Sequence, residues 1–275
     1  MPSLQADSTA IAPRGQLSGA DLSGADLAGK DLYRANLSGA NLSGANLSGT
    51  GLLGANLTNA DLSDANLTKA DLRGVSLAGA NLTGANLTGA YLFRTDLQGC
   101  NLTGATLTDA EMKLALYDSQ TQWPEGFRYK SSGAVGPNAL LSGAYLNTAN
   151  LKGADLSGAM MFGTYLSGAN LQGANLAGAG LSGANLQKSF LIGANLKGVN
   201  LAGTELQRAD LRATNLTDVD FSEVGSIAGA DFSGAVGLSA QSRAKLLSHP
   251  PAELEEWNVF TRQTTRQSLE ESTAS

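Results

Sequence analysis

Histidine and cysteine are almost missing from this chain of 275 residues, which contains one of each. A metal centre or a Cys–His nucleophilic pair needs several such side chains close together, whereas Cys100 and His249 stand far apart in the sequence. Glycine is plentiful but recurs as LSGAN, not as the phosphate-binding patterns GxxxxGK[ST] or GxGxxG. The sequence therefore predicts no catalytic residue, no metal and no cofactor, and the chain is predicted not to be an enzyme.

Long apolar runs and an excess of basic residues are also missing. No stretch approaches the roughly 18 apolar residues of a membrane-spanning helix, and the first residues lack the pattern of a signal peptide. The chain has 18 Lys and Arg against 24 Asp and Glu, a formal net charge of −6, which argues against a nucleic-acid-binding surface. We therefore expect a cytoplasmic protein with no membrane span and no direct nucleic-acid binding.

A five-residue unit dominates the sequence instead. ANLSG occurs three times in succession at residues 35–49, and the central Leu of the unit recurs at every fifth position, first from Leu17 to Tyr117 and then from Leu141 to Phe221. Residues five apart on an α-helix are rotated by about 500°, so they form no apolar stripe. An α-helix is therefore excluded.

Within one unit, the Ala and the Leu lie two residues apart and point to the same side of an extended segment, with Asn or Asp on the other side. The next Ala is three residues further on, so a corner must intervene, and Gly suits the left-handed third position of a type II turn. The unit is thus a short strand plus a corner, and repetition winds the chain into a solenoid with Leu and Ala inside.

The number of sides follows from the residues that replace the usual Ser after the central Leu. Large or charged residues return at this position every twenty residues, which on a five-residue unit predicts four sides per coil. These residues are Tyr33, Leu53, Arg73, Phe93 and Lys113.

The repeated A(N/D)LSG unit resembles that of the pentapeptide-repeat proteins over roughly residues 15–235, and the YDxxTxWPEGF-like insertion is similar to one in cyanobacterial members of that family. The resemblance implies a right-handed quadrilateral β-helix, an all-β solenoid, here with a short C-terminal α-helical cap. The predicted segments are a disordered N-terminal tail or edge cap (1–14), a first repeat run (15–118), an aromatic loop insertion (119–138), a second run (139–237), and a helical cap with a C-terminal tail (238–275).

Two segments leave alternatives open. The loop at 119–138 carries Trp123, Phe127 and Tyr129, and we expect Trp123 to pack on outward apolar residues of the second run, among them Tyr145, Phe162 and Tyr165; the alternative is a free partner-binding loop. After the helix predicted from the N-cap Ser239, the segment with Trp257 and Phe260 either folds back on the solenoid or forms a linear docking peptide.

One side of the first run differs from the others because it carries aromatic residues and arginines, the residue types that dominate binding energy at interfaces. We expect a non-catalytic interaction scaffold, a rigid β-helical rod and a monomer or weak dimer, that docks a protein partner through this side or through its C-terminal tail. The loop or the tail could instead cover this side. The candidate partner-binding residues are Tyr33, Arg34, Leu53, Arg73, Tyr91, Phe93, Arg94, Trp257 and Phe260.

A DNA-mimicking binder of DNA gyrase or topoisomerase is the alternative function, since the resemblance includes proteins of that kind. Such a mimic needs an acidic surface that imitates phosphates. Most outward positions in this chain are Asn, Ser, Thr and Gly.

Overall fold

The computed structural model describes residues 11–271. Parallel β-bridges join residues twenty positions apart, beginning with Gln16 to Asn36 and repeating on each side of the coil. The predicted four-sided coil is confirmed, and the chain forms a right-handed quadrilateral β-helix. It divides into two compact units, of which unit 1 ends at Val135 and unit 2 begins at Gly136.

The corners have the predicted turn geometry. The backbone N–H of Ala35 donates to the carbonyl of Leu32 at 2.9 Å, and the same bond closes the following corners. The third corner residue has positive φ, 64° at Gly39 for example, a conformation that Gly adopts without strain. The central Leu and the Ala of each unit are buried: Leu37, Ala40 and Leu42 have no exposed surface. A thin ladder of these side chains forms the core.

Asparagine side chains form a second ladder outside the core. Nδ2 of Asn46 donates to Oδ1 of Asp26 at 2.9 Å, and Nδ2 of Asn66 donates to Oδ1 of Asn46 at 3.2 Å. The same Oδ1 atoms accept a backbone N–H two residues further on, as Asn46 does from Ser48. Asp26 can replace Asn in the first coil because its side chain there has no earlier ladder residue to donate to and needs only to accept hydrogen bonds.

Most small polar residues at the inward Ala position donate a hydrogen bond to the carbonyl of a Leu 23 residues earlier, whereas Ser189 and Thr214 donate to a Leu three residues earlier. The hydroxyl of Thr50 donates to Leu27 at 2.8 Å, and the thiol of Cys100 donates to Leu77 at 2.7 Å. Cys100 is fully buried, and this burial raises the pKa of its thiol to about 12. Cys100 is therefore a small core residue at the inward Ala position of its unit.

The predicted N-terminal tail, residues 1–14, lies mostly outside the described residues. The backbone N–H of Arg14 donates to the carbonyl of Tyr33 at 2.7 Å, and Gly15 donates to Ala12 at 3.0 Å. Residues 11–14 therefore lie against the first coil.

The central loop completes one coil in an irregular way. Gln122 bridges Asn101, 21 residues earlier, and Val135 bridges Leu116, 19 residues earlier. Gln122 thus takes the place of the usual Asn, and Trp123 takes that of the central Leu. A 3₁₀-helix, Tyr129–Ser131, follows. The predicted packing of Trp123 on Tyr145, Phe162 or Tyr165 is wrong.

Trp123 instead belongs to an aromatic cluster within unit 1. Its ring stacks on Tyr129 at 5.2 Å and on Phe127 at 5.6 Å, and its edge meets Tyr117 at 5.5 Å. Tyr117 is almost fully buried. The loop therefore packs on the last regular coil of its own unit, because Tyr117 replaces the central Leu with a ring that the loop aromatics cover.

The register of the second run slips by one residue near Glu223 to Ser226. Asn200 bridges Asp220, twenty residues later, whereas Asp210 bridges Asp231, 21 residues later. One extra residue is therefore absorbed between these two sides.

A compact cap follows the last coil, and its elements are α1 (Ala240–Leu247), α2 (Pro251–Leu254), an antiparallel hairpin of β1 (Trp257–Asn258) and β2 (Gln263–Thr264), and α3 (Thr265–Glu271). Oγ of Ser239 accepts the backbone N–H of Ser242 at 3.0 Å, as the predicted N-cap requires. The sequence analysis did not predict α3. It covers the last coil through polar contacts: Thr265 donates to the carbonyl of Ile227 at 3.1 Å, and Ser268 accepts the N–H of Phe232 at 3.1 Å.

Candidate docking surface

The exceptional side of unit 1 forms a groove along its corners. This corner groove has a volume of about 410 Å³. Its lining residues are Tyr33, Arg34, Leu53, Gly54, Arg73, Gly74, Phe93 and Arg94. It brings together six of the predicted candidates, namely Tyr33, Arg34, Leu53, Arg73, Phe93 and Arg94.

Regular stacking of the corners explains this convergence. The backbone N–H of Arg34 donates to the carbonyl of Leu53, Gly54 donates to Arg73, and Gly74 donates to the carbonyl of Phe93, each at 3.0 Å. Each bond joins a corner to the next coil, so a twenty-residue spacing in sequence becomes direct contact in space. Arg34 and Arg94 consequently lie on one line, three coils apart.

Two glycines, Gly54 and Gly74, form the floor of the groove between these arginines. Neither glycine is among the predicted candidates, although both occupy the same position in the twenty-residue pattern as Arg34 and Arg94. A Cβ on Gly54 would lie 3.4 Å from Cγ of Arg34. The side chain of Arg34 therefore extends over Gly54, into space that the missing side chain leaves open.

The three arginines of the groove differ in their partners. Nε and Nη2 of Arg73 donate to the two carboxylate oxygens of Asp71 at 2.8 and 2.6 Å. These hydrogen bonds hold the pKa of the Asp71 carboxyl below its usual range. The guanidinium groups of Arg34 and Arg94 lie over the rings of Tyr33 and Phe93, 5.1 and 5.0 Å from the ring centres. Neither forms an ion pair with any residue among 11–271.

Arg34 and Arg94 also occupy an unfavourable backbone conformation. Their φ angles are 52° and 57°, in the left-handed region that costs an L-residue about 1 to 2 kcal/mol. Glycine fills this position in most repeat units. The repeat geometry therefore does not require either arginine.

The other three candidates lie elsewhere. Tyr91 stands at the strand position before Leu92 and is exposed, but it does not line the groove. Trp257 and Phe260 belong to the hairpin of the cap and are 49% and 61% exposed. The ring of Phe260 meets the edge of Phe190 at 6.3 Å. The hairpin thus contacts a coil of unit 2, as one of the two alternatives expected, yet leaves both aromatic rings largely in solvent.

Unit 2 has an exposed apolar surface of its own, which we had expected the central loop to cover. It comprises Leu140, Tyr145, Met160, Phe162 and Tyr165. Tyr145 stacks on Tyr165 with ring centres 4.8 Å apart, and the ring of Phe162 lies over Gly180.

Neither a metal-binding cluster nor a membrane-spanning helix is found among residues 11–271. No group of three or more His, Cys, Asp and Glu in this range is arranged to hold a metal ion. None of the helices described is long and apolar enough to cross a bilayer.

A comparison with models of protein families identifies the family of this chain. The model described as pentapeptide repeats matches in eight copies, within residues 16–109 and 138–236. The chain belongs to the pentapeptide-repeat family. This family generally consists of non-enzymatic structural or interaction proteins, and its quadrilateral β-helix agrees with the bridges described above.

Solved structures of three pentapeptide-repeat proteins are similar to the chain. HetL from the cyanobacterium Nostoc, which is involved in heterocyst differentiation regulation, is 30% identical, with 83% of this chain and 93% of HetL covered and a TM-score of 0.39. Rfr23 from the cyanobacterium Cyanothece is 45% identical over 34% of this chain and 64% of its own, with a TM-score of 0.34. A protein of the Arabidopsis thaliana thylakoid lumen is 20% identical over 78% and 88% of the two chains, with a TM-score of 0.19. No curated protein sequence matches the chain significantly.

Proposed function

We propose that this pentapeptide-repeat protein is a non-catalytic interaction scaffold that docks a protein partner through the corner groove. The observation that carries the proposal is the line of Tyr33, Arg34, Leu53, Arg73, Phe93 and Arg94 along one groove of unit 1. The usual corner of the repeat is a Ser or Thr followed by Gly, which keeps its hydration and provides little binding energy. Tyr, Phe and Arg provide large contact area and a planar hydrogen-bonding group.

The energetics of the fold support this assignment. Arg34 and Arg94 stand at left-handed corners, where each opposes folding by about 1 to 2 kcal/mol relative to Gly. Their side chains are exposed and add nothing to the core. A residue that costs stability and adds nothing to the core is typical of a functional site.

The hairpin of the cap is the second route of docking that the sequence analysis left open. Trp257 and Phe260 are exposed, and they can be tested apart from the groove because they lie in unit 2. DNA mimicry has less support, because the corner groove is rich in arginine and Asp26 and Asp61 accept hydrogen bonds from the asparagine ladder.

The proposal is tested by affinity capture from an extract of the source organism, followed by mass spectrometry and by binding of the purified candidate partner. The decisive variant is Phe93→Ser with Arg94→Gly, which restores the repeat unit and should fold at least as stably as the wild type. We expect the captured partner to be lost. The matched control is Lys69→Gly, which removes a positive charge from a left-handed corner on another side of unit 1.

A variant with Trp257→Ser and Phe260→Ser distinguishes the hairpin from the groove. If the groove variant still captures the partner and the hairpin variant does not, the docking surface is the hairpin of the cap and not the corner groove. A DNA supercoiling assay with gyrase tests mimicry, for which we expect no inhibition at micromolar protein.

Cytoplasmic localisation and a monomeric or weakly dimeric state are part of the same proposal. Cys100 is the single cysteine and is buried, so the stability of the fold does not depend on an intrachain disulfide that only an oxidising compartment would form. Sedimentation of the purified chain across a range of concentrations tests the oligomeric state.

A further inference from the structure

We infer that the corner groove binds an extended acidic peptide in which two carboxylates flank an apolar side chain. This inference rests on the proposed function and names the chemistry of the partner segment. It follows from three features of the groove: the two arginines at its ends, the glycine floor between them, and the apolar side chains beside that floor.

The charge of the groove selects an acidic ligand. The guanidinium of Arg73 is held by both oxygens of Asp71, whereas Arg34 and Arg94 form no ion pair among the residues described. Asp31 stands at the strand position before this side, accepts the N–H of Tyr33 at 3.0 Å and does not line the groove. Two planar guanidinium groups are therefore available in a chain whose formal net charge is −6, and such groups bind carboxylates in a bidentate manner.

The spacing of the arginines selects an extended peptide. Arg34 and Arg94 are separated by three coil steps, which at about 4.8 Å per step is about 14 Å. An extended chain rises about 3.3 Å per residue, so residues four apart span about 13 Å and point to the same face. The carboxylates should thus occupy the first and fifth positions of a five-residue segment.

The floor of the groove selects the residue between them. The third position of such a segment points to the same face as the first and fifth and so lies above Gly74, beside the part of the Arg34 side chain that covers Gly54. Leu53 is 39% exposed on one side of this position, and Phe93 is half-buried on the other side, two coil steps from Leu53. An aliphatic side chain at the third position would remove apolar surface of both from water. The expected motif is acidic–x–aliphatic–x–acidic.

The test uses the full chain and synthetic peptides in a fluorescence anisotropy titration at low salt. The main probe is GSETLTESG, which contains the motif. Three peptides are compared with it: GSQTLTQSG lacks the charges, GSETSTESG lacks the aliphatic residue, and GSEETLTSG has the same composition with a different spacing. Ten-residue oligothymidylate represents a nucleic-acid polyanion.

We expect GSETLTESG to bind about tenfold more tightly than the uncharged peptide, with affinity that falls as salt rises. Arg34→Gly and Arg94→Gly should each weaken it at least about fivefold, while Lys69→Gly should change it less than about twofold. Lys69 is a matched control because it occupies a left-handed corner and extends over Gly89 as Arg34 extends over Gly54.

Equal binding of the charged and uncharged peptides, or no effect of Arg34→Gly and Arg94→Gly, would overturn the inference. Tighter binding of the oligothymidylate through the same arginines would overturn it in favour of a nucleic acid. If no peptide binds while protein capture still depends on Phe93 and Arg94, the peptide motif is wrong and the proposed function stands. If protein capture is also unaffected by the groove variant, the proposed function fails as well.

Discussion

The ring of Phe162 lies over the backbone of Gly180, where a Cβ would fall 2.5 Å from Cζ of the ring. Gly180 replaces the usual Asn of the repeat and does not have positive φ. The glycine is therefore required by its neighbour on the adjacent coil and not by its own backbone. Phe162 is 43% exposed even in this position.

The relation between Phe162 and Gly180 predicts that Gly180→Ala destabilises the protein by about 1 kcal/mol, the lower end of the range for overpacking because the ring can move toward solvent. Gly51→Ala is the matched control, since Gly51 occupies the same position of its unit and its Cβ would meet only an ordinary contact, 3.7 Å from Oδ1 of Asp31. Urea denaturation measures both. The cost of Gly180→Ala should vanish in a Phe162→Ser background, and an unchanged cost there would contradict the interpretation.

Leu87 tests the inward face of the repeat. Its side chain is 1% exposed in the middle of unit 1, so Leu87→Asp would bury an unpaired carboxylate at a cost of several kcal/mol and should unfold the neighbouring coils. The comparison is Ser43→Lys at an outward corner, which loses one hydrogen bond, 2.7 Å to Asn41, worth about 1 kcal/mol. Circular dichroism during heating measures both, and similar melting curves for Leu87→Asp and the wild type would show the inward assignment to be wrong.

Tryptophan fluorescence reports on the aromatic cluster of the central loop. In Trp257→Phe only Trp123 emits, and its contacts with Tyr117 and Tyr129 should shift the emission maximum to shorter wavelength than that of the converse variant Trp123→Phe, in which only the exposed Trp257 emits. Tyr129→Ala, made in the Trp257→Phe background, should move the maximum toward longer wavelength. A maximum unmoved by Tyr129→Ala would contradict the packing of the loop.

The buried thiol of Cys100 should make the free energy of unfolding depend on pH. Burial raises the pKa of its thiol to about 12, whereas an unfolded thiol titrates near about 8.5. The folded state therefore holds its proton more tightly, and the stabilisation from this group is complete below about pH 8.5 and is lost progressively as pH rises toward 12. Urea midpoints of the wild type and of Cys100→Ala, which restores the usual residue, should diverge only above about pH 8.5, and parallel curves would exclude the effect.

The same burial keeps the thiol unreactive. Alkylation of native Cys100 at pH 8 should be slow and become fast in urea, because the thiolate is the nucleophile. Rapid alkylation of the native chain would indicate that this part of unit 1 opens.

The spacing of the repeat is sufficient to predict the four-sided solenoid, its inward residues and most of the residues that line the corner groove. A strictly periodic chain converts spacing into position, so residues twenty apart, such as Tyr33 and Leu53, must stack once the coil is known. The glycine floor at Gly54 and Gly74 follows the same pattern, but a glycine has no side chain that would mark a binding site in the sequence.

The segments that cover the irregular surfaces are fixed by tertiary contacts, which the spacing of the repeat does not encode. Trp123 could pack on any exposed apolar patch, and its position after the extra residue placed it beside Tyr117 instead of the apolar surface of unit 2. The sequence of helix α3 has no hydrophobic pattern that predicts its position on the last coil. The end of a β-helix presents backbone N–H and C=O groups, and these groups need polar partners. Thr265 and Ser268 form hydrogen bonds with two of those groups. Such hydrogen bonds cannot be predicted from the hydrophobic pattern of a sequence.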